Sequence, residues 1–527
     1  MSLADRLCAN LRPLGITISD EDVAGIEALG FLSRLADFER ITATMPHAMP
    51  PDYLDAASLP VAPPETTATV WPSDPPADTL LGVAAQLHAG ALSPIELTEA
   101  ALQRLANLDP QLNAFQLVLA EQALADARRA TAELAAGQQR GPLHGVPVAV
   151  KDLFDMTGLP TTAGSPMCAD NIAHDDATLV ARLREAGAVI IGKTRLSEFA
   201  YSPGSNNPHY GPVANPYDQT RDAGGSSSGS AAAVATGIAY TALGTDTGCS
   251  IRIPAAFCGI VGLKATWGRT SLAGAVPLAW SLDHGGALVR SVADAALMLA
   301  LLAGPDQRDG RTLRAVPPFM PGELAGGVRG LRVGLLNDDG SGKPMADAAQ
   351  LGAARQAAAA LASAGAEVLE LPMPQLDSLR VIGAAIAGLE AAAFHQPWMQ
   401  TRLHDYGPFM RQRLLAACAY GPGAFIRAQQ ARAALRRDAA TIFAQVDILI
   451  GPIHPGPVPA LGVPANNGLA IPINCLGWPA LTLPVDLGSD GMPLAAHLIA
   501  APWHEALLLR AAYVVEQARG RFTKPLD

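Results

Sequence analysis

The sequence predicts an α/β protein in which a mixed central sheet is covered by helices on both faces. Three observations carry this. Short apolar runs alternate with segments of helical spacing. Gly/Ser-rich turns sit at the ends of several of those runs, where a strand hands over to a helix. Apolar residues make up 49% of the 527 and charged residues only 16%, which suffices for a large core and argues against wholesale disorder.

Charge narrows the partners. With 37 Lys+Arg against 48 Asp+Glu the formal net charge is −11, and there is no basic run to recruit nucleic acid or an anionic membrane. The long uncharged stretch between Asp447 and Asp486 holds eight prolines and is no membrane helix. Six cysteines without a CxxC pair or a Cys/His cluster point to reduced thiols, and neither a metal nor a cofactor is expected. The N-terminus, MSLADRLCANL, lacks the apolar core of a signal peptide, so a cytoplasmic location is expected.

Taken in order, residues 1–45 read as a helical extension. Ser19-Asp20-Glu21-Asp22 offers an N-cap and an acidic first turn. Ile26, Leu29, Leu32, Leu35 and Phe38 then recur on one helical face, as expected of an adaptor packed on a larger body. Residues 46–78 hold nine prolines and read as an extended linker. The α/β pattern occupies 79–527. Gly145-Val-Pro-Val-Ala-Val150 is a strand ending in Lys151-Asp152; 176–186 has helical spacing, and 188–191 follows as a buried strand. The Gly/Ser segment 224–230 opens a small-residue helix at 231–237, and 240–243 is a strand before a second Gly/Ser turn at 248–250. Further strands are expected at 331–336, 366–371, 448–450, 480–485 and 494–499, with a helical cover region at about 341–445.

The most informative stretch is Arg221-Asp-Ala-Gly-Gly-Ser-Ser-Ser-Gly-Ser-Ala-Ala-Ala-Val-Ala-Thr-Gly237. It lacks the Gly-Lys-Ser/Thr ending of a P-loop and the GxGxxG of a dinucleotide fold. The sequence here closely resembles the amidase signature family over about residues 79–520. The likeness rests on an ordered set: Gly145-Val-Pro-Val-Ala-Val-Lys151-Asp152, Gly192-Lys-Thr-Arg-Leu-Ser-Glu-Phe199, Gly224-Gly-Ser-Ser-Ser-Gly-Ser230, Thr245-Asp-Thr-Gly-Cys-Ser-Ile-Arg-Ile-Pro254 running on through Gly262-Leu-Lys264, and Asp490-Gly-Met-Pro493 with the helix from Glu505.

The resemblance implies the amidase-signature fold and a Ser–cis-Ser–Lys triad at Ser250, Ser226 and Lys151. The physical logic runs parallel. A serine hydroxyl attacks an amide only if a base takes its proton, and a lysine serves as that base only when burial keeps it neutral. The family's oxyanion donors map onto the backbone N–H groups of Thr247, Gly248, Cys249 and Ser250. Asp246 and Arg252 flank that turn as a bracing pair, with substrate contact by Arg252 the other reading. The chain departs from the family at Cys249, where glycine is usual; its side chain is expected to shape the acyl pocket. Lys264-Ala-Thr for the usual Lys-Pro-Thr, and Gly285-Gly-Ala for Gly-Pro, read as structural. Met167, Trp280 and Trp478 are candidates to line the substrate pocket, although a large apolar residue is more often core. His144 and His284 read as hydrogen-bonded scaffold.

The leading function is an amidohydrolase that cleaves the C–N bond of a small amide, carbamate or ureide through a Ser250 acyl-enzyme, in a chain for which a homodimer is left open. The alternative is an amidotransferase A-type subunit supplying ammonia to a tRNA-dependent partner. A third, a catalytically dead binding protein, is disfavoured because all three triad positions are filled. The N-terminal segment resembles the small helical companion subunits of such systems, and its fusion would favour a self-sufficient hydrolase.

Overall fold

The computed structural model describes residues 2–45, 75–313, 324–520, 522 and 525. Eleven strands form one mixed sheet: β1 (Phe115–Val118), β2 (Pro147–Lys151), β3 (Val189–Thr194), β4 (Thr241–Thr245), β5 (Val261–Lys264), β6 (Gly285–Val289), β7 (Arg332–Leu336), β8 (Glu367–Leu371), β9 (Ile448–Pro452), β10 (Ala480–Leu487) and β11 (Pro493–Ala500). Their order across the sheet is β1-β3-β2-β4-β6-β5-β10-β11-β9-β7-β8. β2 runs parallel to β3 and β4, and β7 parallel to β8 and β9, while β4–β6, β5–β10 and β10–β11 pair antiparallel. Helices lie on both faces, the mixed α/β architecture expected from the sequence.

β1, β5 and β6 escape the sequence reading for local reasons. β1 and β5 are too short to show a period, and Gly285-Gly286 at the start of β6 reads as a turn. The Gly286 backbone is closely packed, since a Cβ there would lie 2.8 Å from the Leu263 carbonyl.

Strand alternation decides which way the chemistry faces. Val148 and Val150 of β2 pack with the helices Val292–Leu302 and Glu505–Arg519, while Ala149 packs on the other face with the helix Ser228–Ala235. Side chains alternate along a strand, so Lys151 leaves β2 on the Ala149 side, toward the Gly/Ser segment. Every residue of that helix is small and buried; a Cβ on Gly229 would meet the Ala114 carbonyl at 2.1 Å, so only glycine lets the backbones come together.

The N-terminal segment forms helices Leu3–Leu11, Asp20–Ala28 and Phe31–Ala43. Ser19 caps the second, accepting from Asp22 N while Asp22 reaches back to the Ser19 backbone. The expected single apolar face is corrected: Gly30, at φ +68°, breaks the helix and resets its phase. Ile26, Phe31, Leu35 and Phe38 are buried, whereas Leu32 is 44% exposed. These helices share a core with Leu376–Arg402, Pro408–Ala417 and Ala424–Ala440, which with Ala348–Ser363 make up the helical cover. Phe31 and Phe38 both meet the Tyr420 ring edge-on, and the Arg411 guanidinium pairs with the buried Asp22 carboxylate at 2.8 Å. The Pro-rich linker expected at 46–78 lies outside the described residues except for 75–78.

Candidate active site

Three segments converge where β2 and β4 end side by side. Lys151 closes β2, the loop 224–227 enters the helix Ser228–Ala235, and the turn 246–251 joins β4 to the helix Arg252–Phe257. Lys151 has no solvent exposure. Its Nζ lies 2.8 Å from Ser226 Oγ, 2.9 Å from Ser227 Oγ and 2.8 Å from Thr245 Oγ1. Burial pushes the amine from its ordinary value down to about 7, with the Asp246 and Asp283 carboxylates pulling the other way. A neutral amine has two N–H groups and one lone pair, so three hydroxyl neighbours suit two donated bonds and one accepted.

The Gly225–Ser226 peptide is cis. Gly225 has no room for a side chain, since a Cβ would lie 2.0 Å from the Gly204 carbonyl. The two turns are knitted together: Ser227 N donates to the Ser250 carbonyl at 3.3 Å, and Cys249 Sγ donates weakly to the Gly225 carbonyl at 3.6 Å. Ser250 lies in a cleft walled by Tyr201, Thr247, Leu278, Arg413, Asn467 and Ile471, with the Arg413 guanidinium 4.0 Å above the Tyr201 ring. Among the described residues, the backbone N–H groups of Thr247, Gly248, Cys249 and Ser250 donate to no protein acceptor, whereas those of Ile251 and Arg252 are taken by the Asp246 carboxylate. The turn around Ser250 thus leaves a row of backbone donors without a protein acceptor.

Asp246 and Arg252 are both fully buried and paired. Burial raises the Asp246 carboxyl, but the Arg252 guanidinium, Lys264 and the Asn474 amide outweigh it and hold the group well below the usual carboxylate range. Arg252 also reaches His497 Nε2 at 3.0 Å and the Ala470 carbonyl at 3.1 Å. It therefore spends its hydrogen bonds inside the scaffold. Behind it Lys264 Nζ lies 3.2 Å from His284 Nε2; burial drives both groups well down, Arg252 adding to the effect on Lys264 and Lys264 to that on His284. His144 is tied to Glu133 at 3.0 Å and is not among the residues that line the cleft. On the other side Thr247 Oγ1 donates to Asp283 at 2.5 Å, and Asp283 also accepts from Leu278 N and Ala279 N.

Two of the expected pocket residues, Met167 and Trp478, are corrected to core. Cys249 borders the cleft, but its side chain packs among Ile253, Ala256, Phe257, Val458 and Met492 and is 2% exposed. Burial first, then the Asp246 charge, pushes its thiol up to about 12, and its φ is not positive, so a side chain is accommodated without strain. Met167 and Trp478 are core residues: Met167 is 8% exposed, and the Trp478 ring packs 4.7 Å from Phe443 at 2% exposure. Neither borders the cleft. Trp280 is 45% exposed and borders a neighbouring cavity of about 370 Å³ that shares Thr247 and Leu278 with the cleft.

The sequence reading missed Ser227, Thr245, Tyr201, Arg413, Asn467 and Asn474. Ser227 and Thr245 lie inside recognised motifs and Tyr201 two residues beyond another, so these were within reach. The others come from distant segments with no local signature, and only the fold brings them in.

Comparison with known proteins agrees with this geometry. The Amidase family model matches residues 96–509. A curated relative from Chromohalobacter salexigens, named as the A-type subunit of glutamyl-tRNA(Gln) amidotransferase, is 38% identical over 474 residues, covering 84% of this chain and 96% of the relative. Among solved structures, an inhibitor-bound vestigial protein complex bearing on the origins of an s-triazine catabolic enzyme superposes with a TM-score of 0.80 at 35% identity, covering 84% of this chain and all of that one. Native peptide amidase from Stenotrophomonas maltophilia superposes at 0.74 with 33% identity, covering 85% of this chain and 98% of that chain. With its motifs in order, its sheet and its buried lysine–serine arrangement, this chain belongs to the amidase signature family, whose enzymes act on carbon–nitrogen bonds.

Proposed function

We propose that the protein is an amidohydrolase that cleaves the C–N bond of a small amide, carbamate or ureide through an acyl-enzyme on Ser250. The observation that carries this reading is the fully buried Lys151 amine 2.8 Å from Ser226, poised to be neutral at ordinary pH. Neutral Lys151 takes the Ser226 proton as Ser226 takes that of Ser250, and Ser250 Oγ attacks the carbonyl carbon. The oxyanion lies against the free N–H groups of residues 247–250. Collapse breaks the C–N bond, and the proton held on Lys151 returns through Ser226 to the departing amine. Water then enters, gives a proton back along the same relay, and releases the acid while Ser250 regains its hydrogen.

The names of the curated relatives favour a second reading, an amidotransferase A-type subunit that hands ammonia to a partner. Supporting the hydrolase is the N-terminal helical unit, which seats an intramolecular companion on the cover helices through Asp22–Arg411 and the Phe31/Phe38–Tyr420 contacts. The test is ammonia or amine release by the purified chain from a panel of aliphatic, aryl, carbamate and ureide substrates and glutamine, without tRNA or ATP. Turnover of a non-glutamine substrate supports the hydrolase. Activity confined to glutamine and raised by a partner and charged tRNA supports the second reading.

A further inference from the structure

The turn that carries Ser250 is held by a polar cluster with an unassigned centre. Asn474, on the short helix Ile471–Leu476, has no solvent exposure. Its Nδ2 donates to the Asp246 carbonyl and to Asp246 Oδ1, both at 2.9 Å, and its Oδ1 accepts from Arg252 at 2.5 Å. One amide therefore satisfies the anion and the cation of the buried pair at once. Asp246 in turn accepts from Ile251 N and Arg252 N, fixing the chain immediately after the serine. The same helix presents Ile471 to the cleft, one turn before Asn474.

We propose that Asn474 is a positioning residue for acyl transfer: it locks Asp246 and Arg252 in the arrangement that aims the 247–250 N–H groups, and so couples the cleft wall to the oxyanion turn. This rests on the hydrolytic reading of Ser250. Neither an aliphatic nor an ionised side chain reproduces the role. Alanine leaves a buried carboxylate short of a donor and a buried guanidinium short of an acceptor. Aspartate still accepts from Arg252 but, when ionised, opposes Asp246 with a second acceptor-only group. Protonated aspartate regains one donor. The other groups facing this site are Arg252, the Arg432 guanidinium near the Asn474 carbonyl at 3.4 Å, His284 Nδ1 at 3.5 Å, and, one contact further, His497 and Lys264. Burial holds His284 and His497 neutral and drives the Lys264 amine well down, and apart from Asn474 none of these side chains hydrogen-bonds to both members of the Asp246–Arg252 pair.

The experiment compares wild type, Asn474→Ala and Asn474→Asp on one amide substrate from pH 5.5 to 9, with the rate of Ser250 labelling by a fluorophosphonate read in parallel. Asn474→Ala should lower kcat about 100-fold, at the lower end of the cost of losing one oxyanion donor, and leave KM within about three-fold because Asn474 does not border the cleft. The ratio of Asn474→Asp to wild-type kcat should climb as pH falls, approaching ten-fold per unit while the new carboxyl takes up its proton. A kcat within three-fold of wild type for Asn474→Ala, or an Asn474→Asp ratio that stays flat with pH, overturns the positioning role. If Asn474→Ala does not fold, the aspartate ratio decides alone. If wild type neither turns over nor labels at Ser250, the hydrolytic reading itself fails and this proposal falls with it. Normal wild-type labelling with an equal rate in both variants removes only the positioning role.

Discussion

Replacing Lys151 by methionine keeps the length of the side chain and removes the amine, which tests the base and the burial together. Moving a lysine from 10.5 to about 7 reflects roughly 5 kcal/mol of disfavour for the charged form inside the protein. Functionally, about half of the molecules carry a neutral Lys151 at pH 7 and about a tenth at pH 6, against fewer than roughly one in a thousand for an unshifted lysine. The kcat/KM of wild type should therefore fall ten-fold per unit below about pH 7 and level off above it. Lys151→Met should lose about 10²- to 10⁴-fold in kcat/KM and the limb with it. The stability consequence has a definite sign. Between about 7 and 10.5 the unfolded chain binds a proton at Lys151 that the folded chain does not, so wild-type stability gains with pH there. The lysine penalty is full at and below pH 7, and the stability of Lys151→Met relative to wild type should shrink as pH rises from 7 toward 10. Stopped assays across pH and urea melts at pH 7 and 9.5 measure both. A flat wild-type profile from pH 5.5 to 8.5, or a methionine variant keeping more than about a tenth of the activity, refutes the neutral-lysine base.

Ser250→Ala should abolish turnover and fluorophosphonate labelling with an unchanged melting temperature, and Ser226→Ala should lose less because a water can stand in for one hydroxyl; intact-mass spectrometry locates the label. Cys249→Gly should leave the acyl-size profile of kcat/KM unchanged, since the side chain is 2% exposed and packs in the apolar cluster with Ile253 and Phe257, while thermal melts record a loss of about 1–3 kcal/mol for the emptied site. For the same reason the native protein should resist thiol reagents at Cys249, as peptide mapping after brief exposure would reveal. Phe38→Ala should destabilise the chain by about 3–5 kcal/mol by vacating the space against Tyr420, read as a lower urea midpoint; no change would mean that the N-terminal helices melt independently.

Much of this protein was legible in one dimension because its chemistry is written in short contiguous motifs. Lys151 ends an apolar strand, Ser226 sits in a Gly/Ser loop before a small-residue helix, and Ser250 follows a second such turn, so local sequence named all three segments and most of the strands. What local sequence could not carry was direction. Cys249 and Ser250 are neighbours in the chain and both border the cleft, yet only Cys249 also belongs to the apolar cluster of Ile253, Phe257 and Met492. Trp478 and Met167 were pocket candidates by residue type alone, and the neighbours that close over them place both in the core. Gly30 split a face that read as continuous, because a positive φ resets helical phase. Of the residues that hold the site, Thr245 stands inside a recognised motif, whereas Asn474 at the Asp246–Arg252 pair lies 323 positions from Lys151 in the chain and carries no signature of its own. Their contacts arise from hydrogen bonds that exist only once the sheet has brought the ends of β2 and β4 together, so motif pointed to the proposed chemistry while tertiary packing decided which side chains surround it.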